Sequence, residues 1–400
     1  MLICLFAGGA AILAQATAEN IERLRHEAEQ ENRQAAESTE YIYTFQDYTV
    51  RIYRQNGEKG IADLMEILKG NQIVHRMRNA GLYVGYDPWN REALSKKGVD
   101  IRLVQMGQDI TGNGIPNLLV EEWSGGAHCC FAYHLFEIGK KFRKIAVIPI
   151  GEAYYFYFAR HRPEKGLVVK GHDGAFAYWR SSFAGSPAPE IMLRFKDGKY
   201  CLAPDLMQKP APSESVFNER KAQVAAEWPQ PGQPDFSSSQ PPSLWSFMLD
   251  LIYSGQADRA RRFLDEAWPS KEPGRVSFAA EFYSQLATSN YWHDLSNFYP
   301  ELKANLKDAL EQCRQAAARG DAEAQFILGG IYANGHGVAQ NYAEAYAWYT
   351  VATANNEGLS AGRKGTVLQA RDVLRQKMTP EQITTGEARA KTVQAGLKRK

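Results

Sequence analysis

The stretch GDAEAQFILGGIYANGHGVAQNYAEAYAWYTVATANNEG, residues 320–358, decides the fold of the C-terminal part of the chain. Small and aromatic residues recur there at three- and four-residue spacing, in two runs separated by a glycine-rich turn. This periodicity predicts two helices, with small residues where the helices approach each other closely and large aromatic residues facing the next pair. The residues that carry the pattern are Ala324, Leu328, Gly329, Tyr332, Gly335, Gly337, Ala345, Trp348 and Tyr349.

This pattern resembles a Sel-one-like repeat, a short relative of the tetratricopeptide repeat. The resemblance covers about one repeat, with departures at Gly330 and Asn356. It implies a helical hairpin whose concave side contacts another protein. A single hairpin cannot bury its own face, so residues 306–321 and the segment after 358 must supply neighbouring helices. We therefore expect a Sel-one-like repeat with C-terminal helices over 306–400, with Thr379 and Gln382 capping the last helix.

The pattern changes upstream of this region. Residues 244–305 have helical periodicity, and residues 208–243 are rich in Pro, Ser and Gln, as linkers are. Over 41–207, short runs of alternating apolar and polar residues are separated by Gly, Asn, Asp and Pro, which predicts an antiparallel β domain. Residues 19–40 are polar and indicate a helix or a linker. The predicted fold class is multidomain, β then α, with an antiparallel and possibly propeller-blade-like β domain before an all-α helical-hairpin region.

The first residues, MLICLFAGGAAILAQATAEN, combine an apolar run with small-x-small cleavage patterns and resemble a signal peptide over 1–18. No Lys or Arg precedes the run; a buried apolar segment is the alternative. The expected location is periplasmic or secreted, with the membrane serving only as export route. The formal net charge is +2 in 400 residues, which argues against a nucleic-acid partner because phosphate binding needs a strongly basic surface.

A candidate calcium loop precedes the sequence NLLVEEW. It resembles the loops of FG-GAP (integrin-like) β-propeller repeats, which place oxygens at alternate positions around a cation. Only one candidate ligand is charged, which predicts weak calcium binding or none, and a rigid Asx-type turn is the favoured alternative. No other cofactor is expected. The candidate ligands are Asp109, Thr111, Asn113, Ile115 through its carbonyl, and Asn117.

The sequence WSGGAHCC, residues 123–130, follows that loop and resembles a motif of exported bacterial proteins that have no assigned activity. Three interpretations compete for it: a His-activated cysteine nucleophile, a zinc site using His128, Cys130 and His134, and a disulfide. We favour a disulfide of Cys129 or Cys130 with Cys201, or a strained bridge between the adjacent pair. Glu121 and Glu122 point to opposite faces of a strand, so they cannot form an acid/base pair.

The favoured functional hypothesis is an exported binding or scaffold protein of the bacterial cell envelope, which contacts another envelope protein through its helical repeats without catalysis. The alternative is an exported Cys/His-dependent hydrolase or zinc enzyme centred on residues 128–134. A weaker third idea is a binder of envelope polysaccharide that uses an aromatic surface. The residues of that surface are Tyr154, Tyr155, Tyr157, Tyr178 and Trp179.

Overall fold

The computed structural model describes residues 39–57, 60–126, 130–151, 156–228, 240–359 and 361–397. Within these ranges the chain forms three four-stranded antiparallel sheets followed by a helical region. The predicted fold class, β then α, is confirmed. The predicted signal peptide over 1–18 lies outside the described residues.

The first sheet is a meander in which each strand pairs with the next. Gly70, in the left-handed region with φ +56°, allows the tight turn between the third and fourth strands that the sequence KGN predicts. One face of this sheet carries Tyr48, Val50 and Met65, all fully buried. The strands are β1 (Thr39–Phe45), β2 (Tyr48–Gly57), β3 (Gly60–Lys69) and β4 (Gln72–Asn79).

The second sheet is also a meander, and a helix interrupts it after its first strand. The apolar pattern of IRLVQMG, residues 101–107, predicts a strand, and this prediction is wrong. Asp100 accepts a hydrogen bond from the Arg102 backbone N–H and begins a 3₁₀ turn over Ile101–Val104. The elements are β5 (Gly81–Val84), α1 (Pro88–Lys96), β6 (Asn117–Trp123), β7 (Phe131–Ile138) and β8 (Phe142–Gly151).

The second sheet is buried on both faces. Val120 and Phe136 face the first sheet and share its core, whereas Leu119 and Leu135, one residue away, belong to a second core. Successive side chains of a strand point to opposite faces, so this alternation places the sheet between two apolar layers. Its strands accordingly read as nearly continuous apolar runs.

The third sheet contributes to that second core through Phe158, Val169 and Leu193. The sequence AFAYWRSSF, residues 175–183, also predicts a strand, but these residues form turns, because Tyr178 and Arg180 have φ near +59° and +54°, incompatible with extended backbone. The strands are β9 (Tyr157–Ala159), β10 (Val168–His172), β11 (Glu190–Lys196) and β12 (Lys199–Leu202).

The helical region begins directly after the third sheet. Helix α3 lies inside the predicted linker and buries Phe217 and Val224 completely, while residues 229–239 lie outside the described part. The helices are α2 (Pro204–Met207), α3 (Glu214–Glu227), α4 (Pro242–Tyr253), α5 (Ala257–Ala267), α6 (Arg275–Leu286), α7 (Trp292–Phe298), α8 (Glu301–Ala318), α9 (Ala322–Asn334), α10 (Tyr342–Ala354), α11 (Ala361–Arg375) and α12 (Pro380–Leu397).

One hydrophobic cluster continues from the second and third sheets into the helices. At the junction, Trp179 packs against Trp245 with ring centroids 5.4 Å apart. Polar contacts reinforce it: the buried Asp173 accepts hydrogen bonds from Tyr253 and Ser289, and Arg180 pairs with Glu281. The sheets and the helices therefore share a core across the predicted domain boundary.

Candidate functional site: a groove in the helical region

The predicted helical hairpin is present as α9 and α10. The Asp321 side chain accepts a hydrogen bond from the Ala324 N–H at 2.9 Å and begins α9, and Asn341 caps α10 in the same way. Gly335 ends α9 with φ +72°, a left-handed conformation that glycine adopts without strain. The spacing of small and aromatic residues therefore predicted both helices and their turn correctly. Membership in the Sel-one-like family stays a prediction.

The two helices of the hairpin approach most closely at Gly329. A Cβ atom at this position would lie 2.4 Å from the Tyr349 ring, so the ring occupies the space that a side chain would need. Tyr349 also packs against Phe326, with ring centroids 5.9 Å apart. Most of the signature residues therefore build the hairpin itself: Ala324, Leu328 and Ala345 are fully buried.

Two further signature residues, the half-buried Tyr332 and the largely buried Trp348, line the floor of a groove of about 460 Å³. Its walls are α8 and α12. Each wall presents residues at the spacing i, i+3, i+4, i+7, which is one face of a helix. The α8 wall consists of Glu311, Arg314, Gln315 and Ala318, and the α12 wall consists of Arg389, Thr392, Val393 and Gly396.

The groove is closed at one end. A Cβ atom on Gly320, directly after α8, would lie 3.7 Å from Leu397 at the end of α12. The C-terminal ends of the two wall helices therefore meet. Glu311 and Arg389 lie at the other end of each set of lining residues, which we call the mouth.

Charged side chains of both signs line this mouth. Arg389 donates from Nε to Glu344 Oε1 at 2.9 Å, and Arg314 donates from Nε to the Tyr332 hydroxyl at 3.2 Å. Arg314 also lies 3.7 Å from Glu311. Each arginine has further N–H groups beyond these contacts, because a guanidinium carries five donors. The groove thus combines an aromatic floor, half-exposed guanidinium groups and carboxylates.

Arg314 and Arg389 were missed in the sequence, because they come from helices that belong to no signature and lie 75 positions apart. The helical spacing of each wall was visible in the sequence. However, the faces of α8 and α12 oppose each other only because of how α12 packs against α10, and the sequence does not show this packing. Gly386 permits this close packing, since a Cβ there would lie 2.9 Å from the Tyr346 ring.

The capping arrangement predicted for the last helix is confirmed. The Thr379 N–H donates to Gln382 Oε1 at 3.0 Å, and the Gln382 N–H donates to Thr379 Oγ1 at 3.3 Å. This reciprocal pair begins α12 at Pro380 and sets the position of one groove wall.

The candidate calcium loop directs its oxygens at its own backbone. Asp109 accepts hydrogen bonds from the N–H groups of Gly112, Asn113 and Gly114, at 2.8, 3.2 and 2.8 Å. Asn117 Oδ1 likewise accepts from the N–H of Ile110 at 2.8 Å and from that of Thr111 at 3.2 Å. This is the hydrogen bonding of the Asx-type turn that was the favoured alternative.

Asn113, another candidate ligand of the loop, has a similar role. Asn113 accepts from the Ile115 N–H through its side-chain oxygen and donates to Glu137. The side-chain oxygens of Asp109, Asn113 and Asn117 therefore point at N–H donors rather than at a common centre. Weak calcium binding stays an untested prediction.

The structure contradicts one form of the favoured disulfide, the bridge to Cys201. Cys201 carries a free, half-buried thiol on β12, so the predicted bridge from Cys129 or Cys130 to Cys201 is wrong. Cys130 precedes β7 of the second sheet, whereas β12 belongs to the third sheet, and this places the two residues on different layers. Cys130 is disulfide-bonded. The alternative bridge between the adjacent pair stays a prediction, because Cys129, like His128, lies outside the described residues. Cys313 is a buried free thiol.

His134, a candidate zinc ligand, is 7% exposed and pairs through Nε2 with Glu122 Oε2, while Asn79 donates to the other oxygen of Glu122. The hydrogen bond from His134 lowers the pKa of the Glu122 carboxyl. Glu121 faces the other side of the strand, as predicted, and contacts Asp87 of the β5–α1 turn. Within the described residues, no three His, Cys, Asp or Glu side chains are grouped as a metal site requires.

The proposed aromatic surface is divided by the structure. Tyr154 and Tyr155 lie outside the described residues, and Trp179 is 9% exposed, packed into the junction with the helices. Tyr178 is exposed and Tyr157 is half-buried. Of the neighbouring residues Tyr178 and Trp179, only Tyr178 therefore exposes its ring to solvent.

No family model, curated protein or solved structure matches this chain. Among the described residues, no helix combines the length and apolar character needed to cross a membrane.

Proposed function

We propose that the protein is an exported binding protein of the bacterial cell envelope that holds a helical segment of a partner protein in the groove between α8 and α12. The observation that supports this most is the groove itself, with Tyr332 and Trp348 at its floor. Aromatic side chains in a concave surface supply most of the contact energy in protein interfaces.

A helical segment fits this groove better than an extended one. The two walls are helices that meet at their C-terminal ends, and each presents one helical face to the groove. A third helix packing between them meets residues at the same three- and four-residue spacing on both sides. Its apolar residues contact the half-buried Tyr332 and Val393.

The charges at the mouth add selectivity. Arg314 and Arg389 lie on opposite walls, and each has a carboxylate nearby, Glu311 and Glu344. A partner helix with a carboxylate between the arginines gains charge-assisted hydrogen bonds from both walls. The exposed pairs already present contribute little by themselves, so exchanging them for contacts with a partner costs little.

The test fills the groove without disturbing the core. Thr392 lies in the groove wall on the exposed side of α12, and Lys391, one position along, is exposed on a different face. We would compare Thr392→Trp with Lys391→Trp as a matched control, using full-length protein in chemical crosslinking and affinity capture from envelope extracts. The wild type and Lys391→Trp are expected to capture the same partner, and Thr392→Trp to lose it.

A second blocking variant tests whether the loss of binding is an effect of position 392 alone. Gly396→Trp also projects into the groove, and a Cβ there contacts nothing within 4 Å. If both blocking variants capture the partner as well as the control does, the groove is not the binding site. Fractionation of cells, with sequencing of the N-terminus of the mature protein, tests export. A protein retained in the cytosol with residues 1–18 intact contradicts that part of the proposal.

A further inference from the structure

A second cavity lies far from the groove, at an edge of the first two sheets. It encloses about 220 Å³ between β1, β2, β5 and the start of α1. Its polar and aromatic lining consists of Tyr41, Tyr43, Arg54, Tyr83, Tyr86 and Arg91. The Tyr86 ring is 2% exposed and belongs to the core between the second and third sheets, but the other three phenol rings and the two guanidinium groups surround an open space, so this lining suggests a binding site.

Arg54 is fixed in this cavity by a bidentate ion pair. Its Nε and Nη2 atoms donate to Asp63 at 2.9 and 2.7 Å, and the Asp63 side chain is fully buried. Asp63 also accepts a hydrogen bond from the Leu82 N–H at 2.9 Å, which ties the first sheet to β5. The guanidinium group is therefore held in place before any ligand arrives, and this lowers the entropic cost of binding.

Two tyrosine rings flank that guanidinium group. The Arg54 Cζ atom lies 5.6 Å from the centroid of the Tyr41 ring and 5.1 Å from that of Tyr83. Such cation–π contacts hold the rings in position. Tyr41 remains 42% exposed, and Trp89, which follows the cavity residue Pro88, is 83% exposed. Large aromatic side chains exposed around a cavity are unusual on a surface that contacts only water.

The charged groups that line the cavity are guanidinium groups, while the nearby Asp87 directs its carboxylate at the N–H groups of Trp89 and Asn90. Asp63 balances the charge of Arg54, but Arg91 adds a second guanidinium group, which is exposed and donates to the Tyr86 carbonyl oxygen at 3.3 Å. All the residues that line the cavity belong to the described part of the chain, and none of them is a carboxylate. A ligand with a carboxylate is therefore favoured over a neutral or cationic one.

We propose that this cavity binds a pyranose ring that carries a carboxylate, as part of an acidic glycan. The phenol faces of Tyr41 and Tyr83 pack against the apolar C–H face of the ring, and their hydroxyl groups contact the ring hydroxyls. Arg91 pairs with the carboxylate, for which the planar guanidinium fork is suited. The volume accommodates about one sugar ring, and the open side of the cavity lets the rest of the chain leave.

The experiment measures binding of trigalacturonate, with maltotriose as the neutral probe of the same length, to the full-length protein by isothermal titration calorimetry at low ionic strength. Trigalacturonate is expected to bind at least tenfold more tightly than maltotriose. Arg91→Gln is expected to weaken trigalacturonate binding at least tenfold, about 1.4 kcal/mol, because it removes the charge that pairs with the carboxylate. Raising the salt concentration weakens the wild type towards the variant.

Arg102→Gln is the matched control, because Arg102 is exposed and paired with Asp100 outside the cavity. It is expected to bind as the wild type does. Tyr41→Ala is expected to weaken both probes. If that variant is misfolded by circular dichroism, Arg91→Gln decides alone, since Arg91 is exposed and makes only a backbone contact. Equal binding of both probes, no binding at millimolar concentration, or an unaffected Arg91→Gln variant would overturn the proposal.

Discussion

The adjacent residues Gly329 and Gly330 provide the sharpest test of the helical hairpin. Both lie in the middle of α9, so replacing either with alanine improves helix propensity by about 1 kcal/mol. Their surroundings differ. A Cβ at 329 would lie 2.4 Å from the Tyr349 ring, whereas a Cβ at 330 meets only the Tyr349 hydroxyl at 3.6 Å, an ordinary contact.

The expected signs are therefore opposite. Gly330→Ala should raise the free energy of unfolding by up to about 1 kcal/mol. In Gly329→Ala the new methyl group must displace a ring held by Phe326, and overpacking of this kind costs about 1–3 kcal/mol. Net of the propensity gain, Gly329→Ala should be destabilising by up to about 2 kcal/mol, so the two variants should differ by about 1–3 kcal/mol.

The assay is urea unfolding of the full-length protein, followed by circular dichroism, for the wild type and both variants. A double-mutant cycle with Tyr349→Ala locates the cause, because once the ring is removed Gly329→Ala should no longer be destabilising. The reasoning is refuted if Gly329→Ala stabilises the protein as much as Gly330→Ala does, or if its effect persists without the Tyr349 ring.

Three further predictions concern other parts of the molecule. Burial raises the pKa of the Glu121 carboxyl well above its usual 4.5, so the folded state binds the proton more tightly than the unfolded state does. Stability should therefore fall as the pH rises from about 4.5 through the raised pKa. Glu121→Gln should flatten this fall in thermal melts between pH 5 and 8, and an unchanged slope would show that another group causes it. Thr379→Ala should lower stability by about 1 kcal/mol through loss of the cap of α12, measured by urea unfolding, whereas Thr379→Ser should retain the cap. Cys313 is fully buried and burial raises the pKa of its thiol to about 12, so it should react with a thiol reagent only after unfolding; rapid labelling that disappears in a Cys313→Ala variant would contradict this placement.

The hairpin was predictable because its signals are local. Caps, turn glycines and residue spacing act within a few positions, and at Asp321, Gly335 and Thr379 each acts as its residue type predicts. The strands over 117–123 and 131–138 were predictable for the same reason, as their apolar runs are long and bounded by turn residues. The expected strand over 101–107 failed because one local hydrogen bond, at Asp100, outweighed the apolar pattern.

The candidate sites were not predictable in this way. The groove needs Arg314 and Arg389, and the cavity needs Arg54 beside Tyr83; each pair is joined only by the packing of separate elements. The predicted bridge to Cys201 failed for a related reason, since the sequence gives the number of thiols but not the layer on which each one lies. Where a prediction required knowing which surfaces meet, residue spacing carried no information.

The core that runs unbroken from the sheets into the helices has a practical consequence for deletion studies. Trp245 and Phe282 are fully buried, and part of their cover comes from Trp179 and Phe176 on the other side of the junction. A fragment cut near residue 243 would lose that cover and expose large rings to water, which favours aggregation. If such a fragment failed to bind, the cause would be the exposed core at the cut and not the loss of a binding site. Binding sites in this protein should therefore be mapped with point substitutions in the intact chain.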